Sequence, residues 1–316
     1  MMTIEWFTQF LAVAAALAAA PLFLGWVNQC RAWLQNRRAP SVLLVYRGIR
    51  KLFHKDAAVA EPASRLFIFT PYIVFGTMVV AAAIIPSVST RLPFGTAADA
   101  IALVGLFATA RVFMSLAAMD IGTAFGSMGA RREMMVGFLA EPALLMVIFV
   151  ASLISMTTAL PVISERLATQ ALTLSPSLAF TGVAFTMVLL AENARIPIDN
   201  PATHLELTMI HEAMLLEYSA RHLALLEWAA ALKLLNYACI GFALFLPWGA
   251  AMGEAGPPAL LTAVAFLALK LLVAGVALAL IETLSAKLRV FRAPQFLATA
   301  YLFASLGLLV HLLLGA

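Results

Sequence analysis

Pro176-Ser-Leu-Ala-Phe-Thr-Gly-Val-Ala-Phe-Thr-Met-Val-Leu-Leu-Ala191 runs directly into Glu192-Asn-Ala-Arg-Ile-Pro-Ile-Asp199-Asn-Pro-Ala-Thr-His204-Leu-Glu206, and this junction decides the fold. An uncharged apolar run gives way at one residue to a stretch, Glu192 to Tyr218, holding five carboxylates and two histidines. Apolar sequence resumes at Leu223. Continuous apolar runs broken by polar connectors read as membrane-crossing helices, because barrel strands would alternate instead.

The same alternation of runs and connectors extends over the whole chain. Of its 316 residues, 63% are hydrophobic and only 11% charged, and the mean hydropathy is +0.98. A soluble globule of that size has no way to hide so much apolar surface. Segments near Ile4–Val27, Leu66–Pro86, Ala98–Met119, Met134–Met156, Pro176–Ala191, Leu223–Trp248, Pro258–Glu282 and Pro294–Leu314 supply the spans. Most reach the roughly 20 residues that cross a hydrocarbon core of about 30 Å; the fifth is short. The expectation is an all-α polytopic membrane protein with about eight transmembrane helices, a single membrane domain over residues 1–316.

Basic residues set the expected orientation. With the N-terminus outside, fifteen fall on cytoplasmic connectors (Arg31, Arg37, Arg38, Arg47, Arg50, Lys51, Lys55, Arg65, Arg131, Arg132, Arg195, Arg221, Lys287, Arg289, Arg292) and two, Arg91 and Arg166, on outer ones. Both termini are therefore expected outside, and the net charge of +4 is a topological signal that gives no reason to expect nucleic acid as a partner. Ala18-Ala19-Ala20 resembles a signal-peptidase site, but the residues before it carry Glu5 and no base, so the first run is expected to stay as a span. Cys30 and Cys239 are the only cysteines and form no C-x-x-C pair, so redox chemistry is expected to belong to partners.

Three inner connectors carry the polar sequence. In Ser41–His54, Val42, Leu43, Val45, Tyr46, Ile49, Leu52 and Phe53 oppose Arg47, Arg50, Lys51 and Lys55 at helical spacing, which predicts a short amphipathic helix at the headgroup level. Asp120–Glu133 carries Gly122, Gly126 and Gly129, spaced for close packing. In the acidic connector Pro197 and Pro201 stop the fifth helix. Asn200, or a Thr203-x-x-Glu206 capping box, can then start a helix of about four turns from Thr203 to Tyr218. On it Glu206 and Glu217 would share one face, and His204, His211 and Thr208 another. The carboxylate stripe suits proton transfer and the imidazoles titrate near neutrality; a solvated acidic loop answering the basic first connector is the plain alternative. His211-Glu212 begins an H-E-x-x-H pattern that fails at Leu215, and no third ligand stands at zinc spacing, so no metal is expected.

Arg111, Glu141, Lys233 and Lys270 fall inside spans, each about 12–18 Å from the predicted cytoplasmic end at 1.5 Å per residue. Helices running both ways thus bring charge to one layer near the midplane. Facing lipid there costs about 2.5–3.5 kcal/mol or more per charge, so these residues should turn inward and pair. Such pairs can form a proton route, or lock the bundle as specificity devices. Glu227 and Glu282, near the inner edge, are expected to snorkel.

Glu192-x-x-Arg195-x-Pro197-x-Asp199, followed by Glu206 and Glu217-Tyr218, resembles the acidic third inner loop of the complex I subunit 1 family. The string from Asn200 to Glu212 is similar to its hydrogenase branch, the membrane subunits of group 4 energy-converting hydrogenases, which include hydrogenase four component C and formate hydrogenlyase subunit 4. Arg37-Arg38-Ala-Pro40 with Tyr46-Arg47, Asp120-x-Gly122, Gly129-Ala-Arg131-Arg132-Glu133 and Glu141-Pro142 resemble other stretches of that family. The resemblance implies a non-catalytic coupling subunit in a bacterial or archaeal cytoplasmic membrane. Such a subunit docks peripheral hydrogenase-like large and small subunits, and links their redox reaction to proton or sodium translocation through antiporter-like membrane subunits. Iron–sulfur clusters, and nickel–iron in the hydrogenases proper, would reside in those partners and none in this chain. By matching positions, Glu141, Glu192, Asp199, Glu206, Glu212 and Glu217 would belong to an acidic funnel; the midplane Arg111, Lys233 and Lys270, placed by their depth in the spans, are expected to continue the proton path. Arg37, Arg38, Arg47, Asp120, Arg131, Arg132, His204 and His211 would face the docked module. Ala202 and His204 stand where respiratory relatives carry carboxylates, which turns the resemblance away from quinone chemistry. A stand-alone cation or proton transporter, and a quinone-site subunit of a respiratory NADH dehydrogenase-like complex, remain the alternatives.

Overall fold

A 17-residue helix, about 26 Å at 1.5 Å per residue, sits at the middle of the bundle and ends on the acidic stretch. It is α7 (Pro176–Glu192) of eleven helices among the described residues of the computed structural model, which are 2–91, 93, 99–169, 175–199, 209–252, 256–286, 288 and 292–314. The others are α1 (Met2–Leu34), α2 (Leu44–Phe53), α3 (Arg65–Ile84), α4 (Ala100–Asp120), α5 (Ala124–Ser155), α6 (Leu160–Thr169), α8 (His211–Leu215), α9 (Ala220–Phe245), α10 (Pro257–Leu284) and α11 (Ala293–Leu314). Among the described residues there is no strand, only two isolated bridges. Seven helices are long and apolar enough to cross a membrane, and α7 is the shorter eighth. The protein is a polytopic all-α membrane protein.

The helices start where local chemistry closes them. Ser64 accepts from the Leu66 amide, Asp99 from Ile101 and Thr123 from Gly126, each satisfying an amide the first turn leaves open. The short α7 is flanked by α5, α9 and α11, so the irregular chain after Glu192 is enclosed by protein. Non-helical backbone at membrane depth requires that enclosure.

Connectors sort onto two ends of the bundle. At one end Thr90 donates to Ala251, Ala251 to Val88, and Ala100 to Thr158, so three connectors are laced together. At the other end the Ser64 amide donates to Asp120 and the Ala58 amide to the Ser219 hydroxyl. There too the Leu288 amide donates to the Pro197 carbonyl. Among the described residues, the basic ones expected on inner connectors belong to this second end, as the alternating topology requires.

The amphipathic segment forms α2. Its Ile49 is buried while Arg47, Arg50 and Lys51 are exposed, and the Tyr46 hydroxyl is hydrogen-bonded to the Ala18 carbonyl of α1. The second inner connector shrinks to Ile121–Thr123, because α5 begins ten residues before the expected Met134. The sequence reading does not anticipate α6, although Leu160, Ile163, Ser164 and Leu167 are buried on one face.

The acidic connector differs more. Asn200 to Thr208 lie outside the described residues, so the expected caps, Thr203, His204 and Glu206 do too. Met209 and Ile210 are not helical, and α8 spans only His211–Leu215. The Asp199 carboxylate accepts from the Ile210 and His211 amides at 3.2 and 3.3 Å, while Arg132 holds the Met209 carbonyl at 2.9 Å. Side chains thus take the groups a continuous helix would have paired, and no single Thr203–Tyr218 helix defines the two expected faces.

Candidate functional site

Glu133, Gly137 and Glu141 recur every four residues on α5 and so share one face. Gly137 is the gap in that face. A Cβ there would stand 2.6 Å from Cδ of Arg111, which reaches across from α4. Through this gap the guanidinium contacts Glu133 (Nε to Oε1, 3.2 Å), Glu141 and, at the end of α7, Glu192. Lys233 of α9 completes the group with its Nζ 2.9 Å from Glu192 Oε2. One turn further along α9, the ring of Tyr237 lies 4.9 Å from that of Phe107 and walls the cluster on its apolar side.

From Glu133 the chain of charge continues outward. His211 Nε2 lies 3.2 Å from Glu133 Oε2, and its Nδ1 is 4.0 Å from Asp199 Oδ2. Burial pushes the imidazole pKa down, but the Glu133 carboxylate beside it outweighs burial and holds it above its ordinary value. Tyr218, stacked on Phe67 at 4.0 Å and donating to its carbonyl, is pushed up by burial and by Asp120.

A second ionic group lies beside the first. Glu282 of α10 is buried and takes Arg195 at 3.0 Å and Arg31 at 3.4 Å. It therefore does not snorkel, because two guanidinium groups meet it inside the protein. Residues Glu192 to Asp199 are consequently fixed at three points: Glu192 by Arg111 and Lys233, Arg195 by Glu282, and Asp199 by the α8 amides.

Of the candidate residues, Arg111, Glu141, Glu192, Lys233, Asp199 and His211 come together. Lys270 does not join them. Its amine donates to the Leu246 and Trp248 carbonyls just past α9. Leu246 is thirteen residues beyond Lys233, about 20 Å along that helix. The single charged layer expected from spacing is therefore two separate sites. Glu212 and Glu217 are half-buried near α8, and no described ion pair ties Glu217 to the cluster. Asp120 holds the start of α3. Arg37, Arg38, Arg47 and Arg131 are exposed, while Arg132 is half-buried against Met209. Sequence reasoning left out Glu133, Gly137 and the Arg195–Glu282 pair. The spacing of Glu133, Gly137 and Glu141 was available, but only once α5 was extended through residue 133.

Among the described residues no three His, Cys, Asp or Glu side chains gather as metal ligands, and Cys30 and Cys239 are free and buried. The site is a buried ionic cluster within a polytopic membrane subunit. A family model described as NADH dehydrogenase matches residues 8–313, and the chain belongs to that family, that of complex I subunit 1. It is 33% identical to formate hydrogenlyase subunit 4 of Escherichia coli (strain K12) over 290 residues, covering 92% of this chain and 93% of that one. It is 35% identical to hydrogenase-4 component C of the same organism over 257 residues, 81% and 80% of the two chains. A solved structure of the membrane-bound sulfane sulfur reductase (MBS), an archaeal respiratory membrane complex, superposes with a TM-score of 0.80. That match covers 96% of this chain and 98% of the other at 16% identity, so it bears on the fold alone.

Proposed function

We propose that this chain is the membrane-embedded coupling subunit of a hydrogenase or hydrogenase-related complex I-like oxidoreductase. In this reading it resides in a cytoplasmic membrane with both termini outside. Peripheral hydrogenase-like large and small subunits dock on its basic and acidic connectors, and antiporter-like membrane subunits adjoin the bundle. The partners hold the iron–sulfur clusters and any nickel–iron centre.

One observation carries the proposal: the ionic contacts run unbroken from His211 at the connector end through Glu133, Arg111 and Glu192 to Glu141 and Lys233 inside the bundle. Side-chain exposure is 24% at His211 and 34% at Glu141, but 1% at Glu192 between them. A purely structural lock needs one pair, whereas a route for charge needs titratable groups in series from the connector end into the bundle. Electron transfer in a docked module changes the field or the conformation at the connector end. Proton occupancy of Glu133, Glu192 and Glu141 then readjusts, as coupled carboxylates in low dielectric must. Lys270, at the far end of α9, is outside this route.

The test is redox-linked proton translocation by the assembled complex in liposomes, with Glu192→Gln or Glu141→Gln. Translocation should be lost while dye-linked electron transfer in the peripheral module continues. Normal translocation in both assembled variants would overturn the assignment. Proton or sodium flux through the purified chain alone would instead favour a free-standing transporter.

A further inference from the structure

We infer that His211 is the proton-exchange residue between the aqueous end of the bundle and the buried cluster, handing protons to Glu133. The inference rests on the coupling role proposed above.

The geometry is specific. The imidazole stands between two carboxylates on different elements, Nε2 at 3.2 Å from Glu133 Oε2 and Nδ1 at 4.0 Å from Asp199 Oδ2. Histidine is suited to relay because it can accept a proton at one ring nitrogen and release one from the other. Asp199, once protonated, supplies a proton to Nδ1, and Nε2 gives its own proton to the Glu133 carboxylate. Imidazole is left neutral and Glu133 protonated, one proton having moved inward. Glu133 lies next to Arg111, whose other contacts are Glu141 and Glu192, so its protonation is felt across the cluster.

The backbone supports the relay. Asp199 Oδ2 holds the amide of His211 itself at 3.3 Å, which fixes the residue relative to Glu133. Gly129 makes room for this contact, since a Cβ there would lie 2.9 Å from the Ile210 carbonyl and 2.9 Å from the Ala213 methyl. Among the described residues, charged groups from three elements face His211. They are Glu133 from α5, Asp199 from the chain after α7, and Lys233 from α9. Arg111 of α4 acts through Glu133, and Arg132 holds the adjoining Met209 carbonyl. The side chain is 24% exposed at the connector end through its carbon atoms, while both ring nitrogens are buried between the two carboxylates.

The experiment compares His211→Gln with Glu192→Gln in the complete complex, reconstituted in liposomes and driven by reduced methyl viologen, with a pH dye reporting translocation. His211→Gln should slow translocation roughly 100-fold, the usual scale of a lost acid–base group. Added imidazole should restore it in proportion to its protonated fraction, with electron input to the peripheral clusters unchanged. Should His211→Gln fail to assemble, His211→Asn carries the same measurement. Normal translocation in the histidine variant alongside loss in Glu192→Gln overturns the relay and leaves the coupling role standing. Loss without imidazole rescue makes His211 structural and also overturns it. Normal translocation in both variants overturns the coupling role itself.

Discussion

Arg111 serves three carboxylates with one guanidinium, and most of the behaviour of the site follows from that imbalance. Arg111→Gln leaves Glu133, Glu141 and Glu192 facing one another with only Lys233 and His211 to answer them. Removing one partner from a buried ionic group costs about 3–5 kcal/mol, so thermal unfolding in detergent should show a loss of that size. The double variant Arg111→Met with Glu192→Met should be milder than the sum of its singles, because it removes both members of a contact. Gly137→Ala tests the gap. Its methyl would overlap Arg111, so it should destabilise by about 1–3 kcal/mol through overpacking and impair coupling as Arg111→Gln does. The His211–Glu133 pair sets a pH dependence. The imidazole pKa is raised in the folded chain above its unfolded value of about 6.5. Its contribution to stability is therefore complete below that value and lost as pH rises through the folded pKa. Amide protection factors around Met209–Leu215, which remove the intrinsic pH dependence of exchange, should fall across that window in the native chain and stay flat in His211→Gln.

At the scale of elements, the turn after α7 joins the cluster to the rest of the bundle. Glu282→Gln removes the carboxylate that Arg195 and Arg31 share. Hydrogen exchange should rise over residues 193–199, and α10 should loosen from α1 and from the turn after α7 without any change to a residue of the main cluster. Unchanged protection there would show that the three-point attachment does not hold the turn. The amphipathic α2, the seven long apolar helices and the short α7 were all legible as periodicity and run length. The start of α5 and the break at Met209–Ile210 were not. At the break, groups far apart in sequence (Asp199 with Ile210, Arg132 with Met209) decide where helix ends, and hydrophobic runs carry no record of them; α5 starts at the local Thr123 cap, in a polar stretch that run length does not mark.

At the scale of the molecule, the connectors lace into two ends, and the basic residues crowd one of them. Cys30 and Cys239 are both buried, which leaves a quiet background for single-cysteine labelling. With the basic end cytoplasmic, Lys51→Cys on α2 should react with a membrane-impermeant maleimide only in inverted vesicles, and Glu165→Cys on α6 only in right-side-out ones. The reverse pattern would invert the proposed topology.

By itself the sequence determined that this is a many-span helical membrane protein, roughly where each span lies, and which family it resembles. These follow from run length, charge asymmetry and local motifs, all properties of neighbouring residues. Only the tertiary structure decided which charges meet. It joined Arg111 to Glu133 through the gap at Gly137, turned His211 from a candidate docking residue into a neighbour of Glu133, and sent Lys270 to the far end of α9. The physical reason is that an ion pair buried in low dielectric depends on distances of a few ångströms between helices. Those distances arise from packing around glycines and from a helix too short to reach the surface.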